Sequence, residues 1–546
     1  MKKFRTNRRK FLKGTAGGMA GTLLNSWPLS AMAQQPSIPP VQGDWDAGVV
    51  RHLLPTASDT RLLLKASFGR PLSSPPTLSV QANGATNTVQ GSMNDTLGEF
   101  WQFYFEDLQP SVQYRLSLTD VNGSFLCEPW PLSTFPSPSE RPEQARVLFY
   151  TCAGGQPGVY NGIGDIDGRL PTEIRNRLLR RGLSFAPNAV VASGDHIYWD
   201  LHAGRGENAG NLSSAGLTSN FDFQGNVFGG SNEAALKAVA DAQIVPVYGT
   251  DFRSTPVFFL QDDHDHWEND SPLTFPVPWF QLQLARATQQ LYYPEFLLDR
   301  NRPAGLPWSD RGEKGDLSES FGTLRYGQLL EVLLYDVRRT LSVGDLNAVF
   351  IDRTVEQWLH DRTSSRDTTH LVHAPSNPFG WSAGKWGEWY PDVLDRNTGI
   401  LTTQIPKPHW KQGWLDQHDR LMQSLTNATH RLPLVISGDL HAIGIGEIQR
   451  SGNLDLSANP VTAILSGPIG SGLRNFTSFA RGVRPSPSSH LDIDEEVIPI
   501  EQNGFILVDF TQDKTLVRMF KWDARSQALD EIDSLQPFHT VELANV

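Results

Sequence analysis

Cysteine is nearly absent from this chain of 546 residues, which holds only Cys127 and Cys152. That number excludes a disulfide framework and leaves room for one bridge at most. Beyond the N-terminal segment no apolar run is long enough to cross a bilayer. There is no basic surplus: the net charge of −12 argues against a nucleic-acid surface. An anionic substrate would therefore need cations placed locally, as metals or arginines. No internal repeat is visible. What the chain does have is length and aromatic content. With 15 Trp and 28 Phe it can fill a large core, and its length calls for two domains or one large domain with insertions.

The N-terminus reads as an export signal. Met1–Lys13 is basic and contains Arg8-Arg9, a mildly apolar Gly/Ala-rich stretch runs from Gly14 to Leu29, and Ala31-Met32-Ala33 is a small-x-small cleavage site. The paired arginines point to the twin-arginine (Tat) branch, whose substrates cross the membrane folded. We therefore expect residues 1–33 to be a signal peptide, the Tat machinery to be a partner, and the mature chain to be periplasmic or extracellular without a membrane anchor. Oligomeric state is not legible.

Residues 34–140 read as a small β domain and linker. Arg61–Phe68 and Glu99–Phe105 have strand character. Leu108-Gln109-Pro110, then Tyr114, then alternating Leu116 and Leu118, resembles the tyrosine corner of fibronectin and immunoglobulin-like sandwiches. The proline-rich stretch Pro129–Pro142 reads as the linker.

From Arg146 the pattern changes. Apolar runs ending in polar residues alternate with helical stretches: Val147–Cys152, Ala189–Asp195, Pro256–Asp263, Leu329–Asp336, Leu432–Asp439, Val461–Gly467 and Phe505–Phe510. Between the first two, Ile174, Leu178 and Leu179 punctuate an Arg-rich helix candidate. Continuous apolar strands with intervening helices mean α/β sheets buried on both faces, over residues 141–546. In such folds function gathers at the carboxyl ends of strands, where Cys152, Asp195, Asp263 and Asp439 fall.

Three strand ends carry ionisable clusters: Gly194-Asp195-His196-Ile197-Tyr198, Asp262-Asp263-His264-Asp265-His266, and Gly438-Asp439-Leu440-His441. A lone Gly-Asp is most often a turn with an Asx hydrogen bond. Asp262–Asp270 is harder to dismiss, with seven ionisable side chains and an Asn in nine positions. Carboxylates gathered at the mouth of a sheet repel one another unless a cation neutralises them, and carboxylate with imidazole is ordinary transition-metal ligation. A glycine before the aspartate permits the sharp turn that aims the carboxylate into a cleft. No Ser or Thr stands between these groups as a covalent phosphatase would require, and no Cys/Ser-x-Pro-x-Arg segment suggests a sulfatase.

Together with Thr151-Cys152 and, less specifically, Tyr335-Asp336-Val337-Arg338, these motifs resemble the alkaline phosphatase D (PhoD-like) branch of the metallophosphoesterases, over roughly residues 40–530. The Gly/Asn/Ser loop 204–230 has no place in that pattern. The resemblance implies an αββα sandwich preceded by a fibronectin- or Ig-like β domain, and a phosphoesterase acting by two-metal activation of water. It implies that Asp195 bridges two metals. Cys152, Tyr198 and His441 would complete a first position suited to Fe³⁺, and Asp263 and Asp439 a second suited to Ca²⁺. It implies that His264 protonates the leaving group and Asp265 orients His264. Arg338 would contact phosphate, a structural salt bridge being an equal alternative.

Several points stay open in the sequence. Cys152 and Cys127 are able to pair. His196, His266, Asn269 and Asp270 flank the motifs and are candidate supporting groups. His373 and the aromatic stretch Phe379–Tyr390 are candidates for a cleft wall, an ordinary surface loop being the alternative. The ester class is open between phosphomonoester, diester, phospholipid and polymer. A secreted binding protein with a decayed metal site, or a metal-dependent lipase, are the competing functions. For export, replacing Arg8-Arg9 by Lys-Lys should strand the precursor in the cytoplasm, because the pathway reads the guanidinium pair; undiminished export, measured by fractionation and immunoblotting, would show the signal to be of another kind.

Overall fold

The computed structural model describes residues 45–162, 165–199, 221–266, 277–299, 305–308, 316–344 and 347–545. The twin-arginine segment, most of the 204–230 loop, and Asn269 and Asp270 lie outside the described residues.

Residues 50–133 are built from strands in two antiparallel four-stranded sheets. Val50–Ala57, Leu62–Phe68, Phe100–Phe105 and Ser92–Met93 form one; Ala85–Gln90, Thr77–Ala82, Gln113–Thr119 and Trp130–Ser133 form the other. Leu62, Leu64 and Ala66 of the first share an apolar cluster with Leu78, Val80, Leu116 and Leu118 of the second. The Tyr114 hydroxyl accepts the backbone N–H of Gln109 five residues upstream, at 2.8 Å, the closure a tyrosine corner makes. The hairpin Thr77–Gln90 escaped the sequence reading because its second strand is almost wholly exposed and carries little apolar signal.

The apolar cluster does not stop at the linker. It continues through Val147, Phe149 and Val191 into the following sheets, so both parts of the chain bury a common core. Ion pairs cross the same junction. Lys65 holds Glu295 at 2.8 Å, and Lys237 holds Asp95 at 2.6 Å and Glu99 at 2.9 Å.

The larger part is two sheets face to face between two helical layers. Three parallel strands, β1 (Gln144–Tyr150), β2 (Ala189–Ser193) and β3 (Val257–Leu260), form half of a six-stranded sheet. The rest, Asn503–Thr511, Lys514–Trp522 and His539–Ala544, is antiparallel. The second sheet, of eight strands, contains β4 (Leu330–Tyr335) and β5 (Leu434–Ser437), joined in parallel through His370–Pro375. Strand alternation shows the layering. In β1, Val147 and Phe149 point between the sheets, while Leu148 and Tyr150 meet α1 (Thr172–Leu183), α2 (Gly230–Tyr248) and α3 (Trp279–Tyr292). In β4, Val332 and Leu334 point inward, while Leu333 and Tyr335 meet α4 (Arg353–Ser364) and α5 (Gln412–Asn427). With apolar neighbours on both faces these strands read as unbroken apolar runs.

The carboxyl ends of β1, β2, β3 and β5 converge because their connecting segments turn at once. Cys152, Asp195, Asp439 and His441 all have left-handed backbone, with φ of 51°, 60°, 69° and 51°. Residues with a Cβ adopt this region only where the surroundings enforce it, at about 1–3 kcal/mol each. The two glycines before the aspartates act differently. Gly194 needs its φ of +81°, whereas Gly438 is required by space. A Cβ there would stand 2.3 Å from Thr151 Oγ1 and 2.4 Å from the Ser193 carbonyl oxygen. Gly438→Ala should therefore cost about 1–3 kcal/mol by forcing β1, β2 and β5 apart. Gly344→Ala, where a Cβ meets nothing within 4 Å, should stay within about 0.5 kcal/mol. Denaturant midpoints at unchanged slope measure both, and equal midpoints for the two variants would refute this reason for the glycine.

Candidate metal centre

Both cysteines are free and buried, so the pairing left open by the sequence does not form. Cys127 lies in the apolar core. Cys152 instead faces Asp195: its thiol donates to Asp195 Oδ2 at 3.4 Å and to the Asp439 carbonyl oxygen at 3.6 Å. The Tyr198 hydroxyl donates to the same Asp195 Oδ2 at 3.0 Å and lies 3.4 Å from His441 Nε2. Ligand atoms of Cys152, Asp195 and His441 lie within 4.8 Å of one another, and Asp195 also belongs to a group of the same size with Asp263 and His264.

This donor set fits a cation. Asp195 is fully buried, yet its Oδ1 has no hydrogen-bond partner among the described residues. Burial pushes the Asp195 carboxyl up to about 7. Burial likewise drives the Cys152 thiol and the Tyr198 phenol far above their usual ranges. Without a cation the thiol and the phenol keep their protons. His441 is held well below the ordinary imidazole range, by burial first and then by the Arg169, His264 and Lys385 charges, and so presents a neutral ring. Its Nδ1 bonds to Ser471 Oγ. Ser471 is fixed in turn by both amide atoms of Asn503, at 2.9 and 2.7 Å. That leaves Nε2 turned to the ligand side, the orientation metal-bound histidines receive from their partners.

The second expected position is furnished differently. Ligand atoms of Asp262, Asp263 and Asp439 also cluster within 4.8 Å, but each carboxylate oxygen of Asp263 and Asp439 already meets a donor. Lys385 Nζ pairs with Asp439 Oδ1 and lies 3.4 Å from Asp263 Oδ2. The His264 N–H donates to Asp263 Oδ1 at 3.0 Å, and Asn377 Nδ2 to Asp439 Oδ2 at 3.2 Å.

One expected role changes. Asp265 does not orient His264. Its carboxylate accepts the backbone N–H groups of Asp195, His196, Ile197 and Asp262 at 2.8–3.1 Å, tying the turn after β2 to the end of β3. Arg338 is fully buried, and its Nε donates to Asp262 Oδ1 at 2.8 Å. Of the two readings left open, the geometry is that of an ion pair beneath the site. His264 stacks on Tyr198 with ring centroids 4.0 Å apart, beside Asp195 and Asp263.

The flanking histidines are structural. His196 Nε2 bonds the Leu260 carbonyl at 2.6 Å, and burial lowers the ring to about 3. His266 Nε2 sits 3.4 Å from Asp336 Oδ2. His373 is no cleft wall: it is buried between Tyr335 and Thr363 in the outer layer. Phe379, Trp381, Trp389 and Tyr390 are core residues of that layer as well. Only Lys385, from the middle of that stretch, reaches the carboxylates.

Sequence reasoning missed Lys385, Asn377, Ser471, Arg169 and Arg175. Arg169 lays its guanidinium 3.7 Å over the Tyr198 ring, and its buried Nε and Nη1 have no hydrogen-bond partner among the described residues. Arg175, on the Arg-rich helix, points inward and donates to the carbonyls of Ala153, Gly154 and Gly155, fixing the turn after Cys152. An inward arginine between Ile174 and Leu178 was detectable as a break in the apolar stripe; a lysine in a Gly/Trp loop carries no such mark.

Two facing sheets between helical layers, with cysteine, aspartate and histidine gathered at strand ends, make a layered α/β fold with a candidate metal site. No protein-family model matches the sequence, and no curated protein is similar to it. Solved structures are. The structure of PhoD superposes with a TM-score of 0.58 over 91% of each chain at 15% identity. A purple acid phosphatase, PPD1 from yellow lupin (Lupinus luteus) seeds, gives a TM-score of 0.52 at 11% identity, over 90% of this chain and 73% of that one. The chain shares its fold with these phosphatases, in keeping with its resemblance to the PhoD-like metallophosphoesterases.

A proton inventory gives a test. A cation bound by Cys152, Tyr198 and Asp195 must displace the protons that burial keeps on them, so affinity should fall as pH falls and metal addition should release protons. Competition with a chelator from about pH 6 to about pH 9 should show tightening of roughly tenfold or more per unit where more than one proton leaves. A flat profile would exclude these ligands.

Proposed function

We propose that this chain is an exported metal-dependent hydrolase of phosphate esters, of the PhoD-like type. The observation that carries the reading is the orphaned, buried Asp195 Oδ1 beside thiol, phenol and neutral imidazole donors. The phosphatase fold supports it, and the twin-arginine segment supports export. A decayed site in a binding protein would not be expected to keep a full donor set together with its supporting contacts.

Cys152, Asp195, Tyr198 and His441 would hold the first cation, and thiolate with phenolate favours Fe³⁺ there. Such a cation supplies Lewis acidity toward phosphate oxygens and acidifies water near neutral pH. The protein's own groups do the rest. Lys385 offsets the negative charge of Asp263 and Asp439 at the rim, which lowers the repulsion an anionic ester would meet. Asp265 keeps the turn carrying Asp195 and Tyr198 fixed, so the donors do not reorganise during the reaction. His264 gives a proton to the leaving alkoxide as the phosphorus–oxygen bond breaks and water's oxygen bonds to phosphorus. Ca²⁺, expected at Asp263 and Asp439, would meet Lys385 there.

Phosphomonoester and diester hydrolysis by the purified, metal-loaded chain tests the activity; absence of any such hydrolysis would defeat the proposal. His264→Ala tests the division of labour. It should keep its metal and lose roughly 10²–10⁴-fold in rate on alkyl esters. With p-nitrophenyl esters, whose leaving group needs little protonation, the loss should be much smaller. Equal slowing of both substrate types, or loss of metal, would make His264 a ligand or a structural residue.

A further inference from the structure

We infer that Lys385 is a built-in cation that takes the place of the second metal, so that the centre holds a single metal ion at Cys152, Asp195, Tyr198 and His441. This rests on the metal-centre reading above and refines it. The contrast between the two positions carries it. At the first, a buried carboxylate oxygen of Asp195 is without a hydrogen-bond partner among the described residues. At the second, all four oxygens of Asp263 and Asp439 face protein donors: Lys385 Nζ on one oxygen of each, the backbone N–H of His264 on Asp263, and the Asn377 amide on Asp439; the oxygen there without a hydrogen-bond partner among the described residues, Asp262 Oδ2, belongs to a carboxylate already paired through its other oxygen with Arg338. Arg338 adds its guanidinium at 3.8 Å from Asp263 and 3.9 Å from Asp439.

The charges lead to the same conclusion. Two organic cations, Lys385 and Arg338, stand among the three carboxylates Asp262, Asp263 and Asp439, with Arg338 Nε paired to Asp262 and Lys385 shared by the other two. A divalent ion on Asp263 and Asp439 would sit against a buried ammonium, in a setting where like charges repel strongly. It would also have to expel a lysine that is 4% exposed, on a loop anchored by the buried Phe379, Trp381, Trp389 and Tyr390. Lysine performs the neutralising task without needing a metal supply.

Metal stoichiometry tests this without reference to activity. The full chain, exported through its own signal, is analysed for metal per chain after incubation with excess Ca²⁺ or Mn²⁺. The wild-type protein should hold one metal ion. Lys385→Ala should take up a second, with Ca²⁺ or Mn²⁺ affinity raised roughly tenfold or more in calorimetry. Lys385→Arg, which keeps the charge, should remain at one. Lys385→Met, close in length and uncharged, should behave as Lys385→Ala does and serves if the alanine variant fails to fold. Two metals in the wild-type chain would overturn the inference and leave the phosphoesterase reading standing. So would folded uncharged variants that stay at one. A wild-type chain that binds no metal would overturn both.

Discussion

Five carboxylates, Asp195, Asp262, Asp263, Asp265 and Asp439, are buried together where two sheets open, none more than 4% exposed. At an effective dielectric near 20, two like charges about 4 Å apart repel by about 4 kcal/mol, before the cost of removing either from water. The surroundings answer this residue by residue. Asp265 is met by four backbone N–H groups, Asp262 by Arg338, and Asp263 and Asp439 by Lys385. Asp195 instead accepts from the Cys152 thiol and the Tyr198 hydroxyl. The softest donors of the site thus surround this one carboxylate.

The backbone is subject to the same constraint. Four expected ligands sit at positive φ, a conformation that would relax if the turns were free. Three clamps prevent it. Asp265 joins the β2 and β3 ends, Arg175 grips the turn after Cys152, and Thr151 Oγ1 donates to the Ser193 carbonyl at 2.6 Å while accepting the Asp439 N–H at 3.2 Å. Thr151 therefore couples β1, β2 and β5 through one hydroxyl, in the space that Gly438 leaves open. The strain is offset by packing of both sheets, which have apolar neighbours on either face.

The parts legible in the sequence are those where chemistry and period coincide. Buried parallel strands leave apolar runs, the runs end in Asp, Cys and His, and parallel alignment then brings those ends together; Cys152, Asp195, Asp263 and Asp439 were legible for that reason. What was illegible depends on contacts between distant segments. Asp265 follows His264 in sequence, which suggests a pair, but the fold places the 195–197 turn closer to its carboxylate. His373 lies on a strand facing the outer helices, so a histidine that read as cleft chemistry is core. Lys385 stands more than a hundred residues from Asp263, in a loop whose tryptophans announce burial and nothing about charge. Exposed strands such as Ala85–Gln90 have too little apolar content to mark a period at all.

Depth separates the roles within the site. Cys152, Asp195, Tyr198, Asp262, Asp263 and Arg338 are sealed from solvent, whereas His264, His441, Asp439 and Lys385 retain slight exposure. The sealed groups form a floor whose task is to hold charge in fixed geometry, and a buried floor does this at lower reorganisation cost than a wet one. The partly exposed groups form a rim that solvent reaches. The rim carries one imidazole suited to proton transfer and one ammonium suited to an anion. Neither needs to move the floor to do its work. On the proposed function, such a site would separate electrostatic preorganisation from substrate contact, with His441 joining the two as a ligand that reaches the rim.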